Sequence, residues 1–293
     1  MSKVVDVPSY LKKVFKITEN SIGTTCYRGQ SCSHWKLEPS VMRGLKPDAE
    51  NKIISELLLE APEEFGADKS MFDKLVRAQH YGLPTRLVDV SFNPLVALYF
   101  ACEDKKHLET EGVVHIFDFS ARRVKYADSD TVSLICNLAQ QSDSEREILE
   151  AEGKKYKNPN NDFSDYSEFQ ELDATTRLMH FVRAEKAYFQ NCVKPNDLSR
   201  YYLVHPKKNN KRVVAQSGAF IAAGLLHYKG VSLSKGFDVK TIKINKDAKS
   251  VITEQLKAIN INSKTMFPEI ENVSKFIKEK WVQTSEGTPC LTF

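Results

Sequence analysis

The chain has 293 residues, 41% of them apolar and 27% charged. That composition excludes a collagenous, low-complexity or wholly disordered chain and provides enough apolar side chains for a sizeable core. Its 42 basic residues nearly match its 38 acidic ones, for a net charge of +4, so bulk charge gives no footprint of a nucleic-acid binder.

Residues 8–18 pattern as a short amphipathic lead-in helix. Their segment lacks the apolar centre of a signal peptide, and no apolar run approaches the roughly 20 residues that span a bilayer. The expectation is a cytoplasmic protein with no membrane partner. Residues 24–27 form a β-prone run that ends at Arg28-Gly29, and a turn-rich stretch with Trp35, Pro39 and Ser40 follows. Ile53, Ile54, Leu57 and Leu58 fall at helical spacing within 49–61. A second helix over 71–81 is stopped by Gly82 and Pro84. Asn93 caps a third, with Pro94 in its first turn, running to about Glu103. Residues 113–119 alternate as a strand.

Residues 128–195 pattern as mostly helical, interrupted at 153–165 by a polar surface segment. Strands are expected at 201–204 and 212–215, joined by a hairpin-like turn at 206–211, and at 241–244. Two amphipathic helices, 247–259 and 269–281, close the chain. Short strands among helices, without a βαβ rhythm, predict an α+β fold with small mixed or antiparallel sheets flanked by helices. Cys26, Cys32, Cys102, Cys136, Cys192 and Cys290 include no CxxC pair, so they read as reduced, mostly buried thiols, and no metal site is expected.

Three segments concentrate polar residues in apolar surroundings: 26–44, 78–102 and 212–224. In the first, Arg28 ends a strand beside Gly29. A guanidinium fork beside a bare backbone suits a phosphate, with Gly29 letting it approach; the alternative is an ion pair with a buried carboxylate such as Asp89. Gln30 and Arg43 are further candidate ligands, and Arg43 is equally an ordinary surface residue. Trp35 can stack on a base or anchor its loop. In the second, Gln79, His80, Thr85, Arg86, Asp89 and Asn93 lie among Tyr81, Leu83, Leu87 and Val88, and each buried polar group there needs a partner. His80 can act as a general base or be a satisfied structural histidine; Asp89 can orient His80 or Arg28, or form a structural pair. In the third, Gln216 can bond a ribose hydroxyl or close a bulge at Gly218. Arg28, His80, Arg86, Asp89 and Gln216 are predicted to line one cleft, because a shared site satisfies them together.

These segments resemble the FRG domain, named for an aromatic-Arg-Gly motif, with Tyr27 standing where Phe is usual. The likeness extends over residues 23–281, leaving 1–22 as the lead-in, a helical insertion near 128–195 and a tail at 282–293. The order of elements also looks like the ADP-ribosyltransferase arrangement, in which an Arg-Gly strand grips NAD. That likeness implies NAD as substrate, with no covalently bound cofactor. Arg28, Gly29, Gln30, Arg43, Gln79, Thr85 and Arg86 then fall to binding, and His80, Asp89 and Gln216 to catalysis. Residues 89–91 fall near the central Ser of that arrangement and Gln216 near its late Glu. There this sequence departs from the pattern, because an amide cannot act as a base or stabilise an oxocarbenium charge as a carboxylate does. The alternatives are a ligand-sensing or protein-binding module without catalysis, and a nucleic-acid hydrolase using His80, Arg86 and Asp89. The resemblance implies a bacterial or phage stress, toxin or anti-phage setting.

Overall fold

The computed structural model describes residues 4–46, 48–156, 165–225, 237–269 and 274. In chain order the elements are α1 (Val7–Thr18), β1 (Thr24–Gln30), α2 (Ala49–Glu60), α3 (Pro62–Phe65), α4 (Met71–His80), β2 (Leu87–Ser91), α5 (Pro94–Cys102), β3 (Gly112–Phe119) and β4 (Val124–Tyr126). There follow α6 (Asp130–Asn137), α7 (Asp143–Gly153), α8 (Ser167–Glu171), α9 (Asp173–Glu185), α10 (Pro195–Leu198), β5 (Tyr201–His205), α11 (Lys211–Ala215), β6 (Gly218–Ala223), β7 (Phe237–Ile244), α12 (Lys249–Ala258) and α13 (Ser263–Met266). The α+β class holds. In place of several small sheets, the described strands form one curled seven-stranded sheet, ordered β4-β5-β6-β2-β1-β3-β7, in which β4 and β5 pair in parallel and the other registered pairs are antiparallel.

Strand pleating sends alternate side chains to opposite faces, and the two faces are filled differently. Cys26, Val88, Val90, Phe117, Phe119, Leu203 and Ile221 pack together on the inner face, so the curled sheet closes on its own side chains. The outer face carries two helical layers. One sets α1, α5 and α12 against Tyr27, Val114, Ile116, Ile242 and Ile244. The other sets α4, α6, α7 and α9 against Leu87, Tyr202, Val204, Phe220 and Ala222. The helical section after residue 128 therefore completes the core beside β2.

Local signals place α5 and α4 well. Asn93 accepts from Leu95 N at 2.9 Å and Pro94 opens α5, which is buried nearly all round, as its unbroken apolar run requires. Helix α4 stops before Gly82, whose φ of +83° suits glycine. Two expectations are corrected. Residues 211–215 form a helix, because the Asn210 side chain accepts from the backbone N–H groups of Arg212 and Val213 and caps it. The 206–211 segment is therefore no hairpin turn; α11 stands between β5 and β6. Strand β2 was hidden within the polar run of the second segment. Of the expected closing helix at 269–281, only Glu269 and Ser274 lie among the described residues, and 157–164 of the polar segment also lie outside them. Cys26, Cys32, Cys102 and Cys136 are buried free thiols, while Cys192 is free and exposed. No helix among the described residues is long and apolar enough to cross a membrane.

Candidate functional site

Strands β1 and β2 share a single registered pair, Tyr27 with Ser91, whereas β1 and β3 pair along the whole of β1. Beyond Tyr27 the first two strands diverge, and residues of α4 and α5 line the gap. A cleft of about 180 Å³ lies there. Its polar wall is Arg28, Gln79, His80, Asp89, Arg212 and Gln216; Val96, Ala97, Phe100 and Phe220 make the apolar side. Of the five residues expected to converge, the structure brings together Arg28, His80, Asp89 and Gln216, with Gln79 beside them.

Arg28 bridges the gap between the strands. Its Nη1 donates to the backbone oxygen of Asp89 at 2.7 Å and stands 3.9 Å from the Asp89 carboxylate. Its buried Nε has no hydrogen-bond partner among the described residues. Burial holds its pKa below the ordinary value, with Asp89 opposing that effect and Arg43 reinforcing it. The Asp89 side chain is 57% exposed, so it is not the buried carboxylate of the alternative reading. It accepts instead from Gln79 Nε2 at 2.6 Å.

His80 is oriented from α11. The Asn210 carbonyl oxygen is taken by two backbone N–H groups, so its amide nitrogen is the group that meets His80 Nδ1 at 2.8 Å. Nδ1 therefore accepts, and neutral His80 carries its proton on Nε2. Burial first, then Arg212, lower its pKa, which keeps the ring neutral at pH 7. The ring in this state offers an Nε2–H donor, with its one lone pair engaged by Asn210. Gln216 gives its amide N–H to Met266 O at 2.9 Å, and its backbone oxygen accepts from Ser91 Oγ at 2.7 Å.

The other expected ligands have structural duties. Gly29 lines the cleft, and a Cβ there would stand 1.8 Å from Ala97 O, so its bareness lets α5 lie on β1. Arg86 is removed from the cleft. It is buried, with its Nε on Glu50 at 2.8 Å, its Nη2 on the same carboxylate and its Nη1 on Ala223 O. Thr85 is also buried; its hydroxyl donates to Gln79 Oε1 at 3.2 Å and so steadies the amide that holds Asp89. Gln30 is buried and bonded to His115, and Arg43 holds Glu38 O through Nε and Nη2 while lining a neighbouring recess that Arg28 shares. Trp35 packs edge-on against His107 with ring centroids 4.8 Å apart, anchoring its loop.

Arg212 was missed by the sequence reading. It stacks over Phe267 at 4.6 Å and lines both the cleft and an adjoining cavity of about 510 Å³. Its only sequence signal is its place at the start of the third segment, two residues after Asn210.

Behind Arg28, cross-strand from it, His115 donates from Nε2 to Gln30 Oε1 at 2.8 Å, leaving a buried Nδ1 without a partner among the described residues. Burial, and secondarily Arg28, push its pKa from 6.5 to about 4. The unfolded chain binds a proton as pH falls through 6.5, while folded His115 resists until about 4. Stability present above pH 6.5 is thus lost across that window, by about 3 kcal/mol. His115→Gln is expected to flatten this part of the pH dependence in urea unfolding at pH 7, 6, 5 and 4.5. An unchanged slope would show that His115 is not the group responsible.

Residues 23–110 match the family model of the FRG domain. The chain carries an FRG domain over that stretch. The matched stretch runs from β1 through α5 and so contains Arg28, Gln79, His80 and Asp89 but not Arg212 or Gln216. No curated protein and no solved structure matches it.

Proposed function

We propose that the cleft of this FRG-domain protein binds a nucleotide-type anion of the NAD class, with Arg28 as the phosphate ligand. One observation carries this reading. The Arg28 guanidinium faces a cleft with a single backbone acceptor close by, its nearest carboxylate 3.9 Å away, and an Nε–H with no acceptor among the described residues. A half-buried cation short of acceptors suits an anion. His80 Nε2–H and Arg212 add donors on the same wall, and the adjoining cavity, reached past His80, Arg212 and Val213, supplies length for a dinucleotide.

The chemistry on hand favours binding over cleavage. Asp89 is the one carboxylate among the cleft's described residues, and it is already bonded to Gln79. His80 in its neutral form has no free lone pair, and Gln216 offers an amide where a transferase needs an acid. A ligand-sensing module is accordingly the preferred form of the proposal. The hydrolase reading loses Arg86 to Glu50.

The test is calorimetric titration of the purified protein with NAD and with ADP-ribose, alongside an assay for nicotinamide release. Saturable binding without release is expected; release would establish cleavage, and no binding of either compound would end the proposal. Arg28→Ala should weaken binding by about 2–5 kcal/mol, roughly 30-fold or more. Arg28→Lys should fail nearly as badly, since a point charge does not reproduce the fork. Because Asp89 is largely solvated, Arg28→Ala should melt close to wild type. A variant that melts far lower, with binding per folded molecule intact, would assign Arg28 a structural role instead.

A further inference from the structure

A separate cavity, of about 340 Å³, lies at the β4–β5 edge of the sheet, with β6 between β5 and β2. Its lining includes four cations, Arg122, Arg123, Lys125 and Arg200, against one carboxylate, Asp197. Two hydroxyl side chains, Ser120 and Thr131, complete the polar wall. Among the described residues the cations of this lining outnumber its carboxylates four to one, and like charges brought together repel.

The cations are held together by the fold. Arg123 and Lys125, two apart along the chain, both stand over the buried Tyr202 ring, at 5.6 and 5.9 Å from its centroid. Arg123 Nη1 also reaches Tyr201 O at 3.4 Å. Asp197 accepts from Arg200 Nη1 at 3.3 Å and from Tyr202 OH at 3.2 Å, which sets Arg200 across from them. Arg123 feels Arg200 as a repulsive neighbour, and burial and that repulsion both lower its pKa. Neither Arg122 nor Lys125 has a carboxylate partner among the described residues, and Arg122 is exposed at the rim.

We propose that this cavity is a binding site for a compact phosphate-bearing ligand, a phosphomonoester or diphosphate, separate from the Arg28 cleft. The Arg122 and Arg200 forks and the Lys125 ammonium, with the Thr131 hydroxyl in the same lining, match the acceptor-rich, multiply charged surface of a phosphate. A nucleic-acid strand fits less well. Tyr202, the aromatic residue of the lining, is 2% exposed and lies under two cations, so it offers no face for a base to stack on. Nearby cations that would have to continue a backbone track are engaged: Lys186 with Asp130, and Lys154 and Lys155 with Glu150 and Glu152.

The experiment is calorimetric titration of the full chain with inorganic phosphate and with pyrophosphate, at ionic strength matched with chloride. It is done in the Arg28→Ala background, so that the cleft does not contribute. One saturable site is expected, tighter for pyrophosphate. Arg122→Ala with Arg200→Ala should weaken it about 10-fold or more, the loss of two charge-assisted contacts. Lys243→Ala with Lys246→Ala, which removes exposed cations paired with Glu111 and Glu109, should leave it unchanged. NAD titrations of the Arg122/Arg200 variant should match wild type, so failure of this site and failure of the cleft remain distinguishable. If the double variant melts well below wild type, Arg122→Ala alone carries the test, with an expected loss of about 3-fold. The proposal is overturned by absence of saturable binding, by equal weakening in the Lys243/Lys246 variant, or by an oligonucleotide binding more tightly than pyrophosphate.

Discussion

Replacing Glu50 with Ala is expected to destabilise the protein by about 3–5 kcal/mol, a fall in melting temperature on the order of 10 °C. Glu50 is 4% exposed and receives both Arg86 and Arg146, the latter through Nη1 at 2.6 Å. It joins the first turn of α2 to the residue preceding β2 and to α7. Its removal leaves the Arg86 guanidinium, 3% exposed at its side chain, without its carboxylate, while Arg146 keeps Asp143 at 3.6 Å. That leftover charge, rather than the worth of the pair, sets the size of the effect, because a buried unpaired cation loses hydration without compensation. Glu50→Gln keeps the shape and some hydrogen bonding but not the charge, and should cost nearly as much. Urea unfolding of wild type and both variants measures this. A loss below about 1 kcal/mol would mean that water reaches the triad and that it does not hold the sheet to its helices. Since the triad lies outside the cleft, NAD binding per folded molecule should be unchanged.

Gly29→Ala is expected to damage stability and ligand binding together. The new Cβ would meet Ala97 O at 1.8 Å and Ala101 N at 2.8 Å, both backbone atoms of a buried helix with no side chain free to swing away. Helix α5 would have to lift from β1. Overpacking of a core generally costs about 1–3 kcal/mol and sometimes more, and the depth of this clash places it at the upper end. The same movement carries Val96, Ala97 and Phe100, which form the apolar wall of the cleft. Unlike Glu50→Ala, this change should therefore weaken NAD binding even in molecules that remain folded. Paired melting and calorimetry on one preparation separate the two effects. Wild-type melting with reduced binding would favour the reading of Gly29 as a residue that a ligand approaches.

By itself the sequence determined what short-range chemistry can specify. Asn93-Pro94 followed by an apolar run marks a capped, buried helix, and Gly82 marks the end of the one before it. The dense polar stretch from Gln79 to Asp89 announced a site because buried polar groups need partners, whatever the fold. Which partner each group found was decided by tertiary structure, since those partners are remote in the chain. Arg86 and Asp89 are three residues apart, yet Arg86 turns to Glu50 and Ala223 while Asp89 faces the cleft. Residues 212–215, with Val213 and Val214, suggest a strand by composition, but a single Asn210 cap starts a helix there and the strand begins at Gly218. The same Asn210 sets the His80 tautomer across 130 residues. Arg28 was recognisable as a candidate anion ligand. That it is short of partners follows only from the divergence of β1 and β2 beyond Tyr27, a property of the curled sheet that no local pattern encodes.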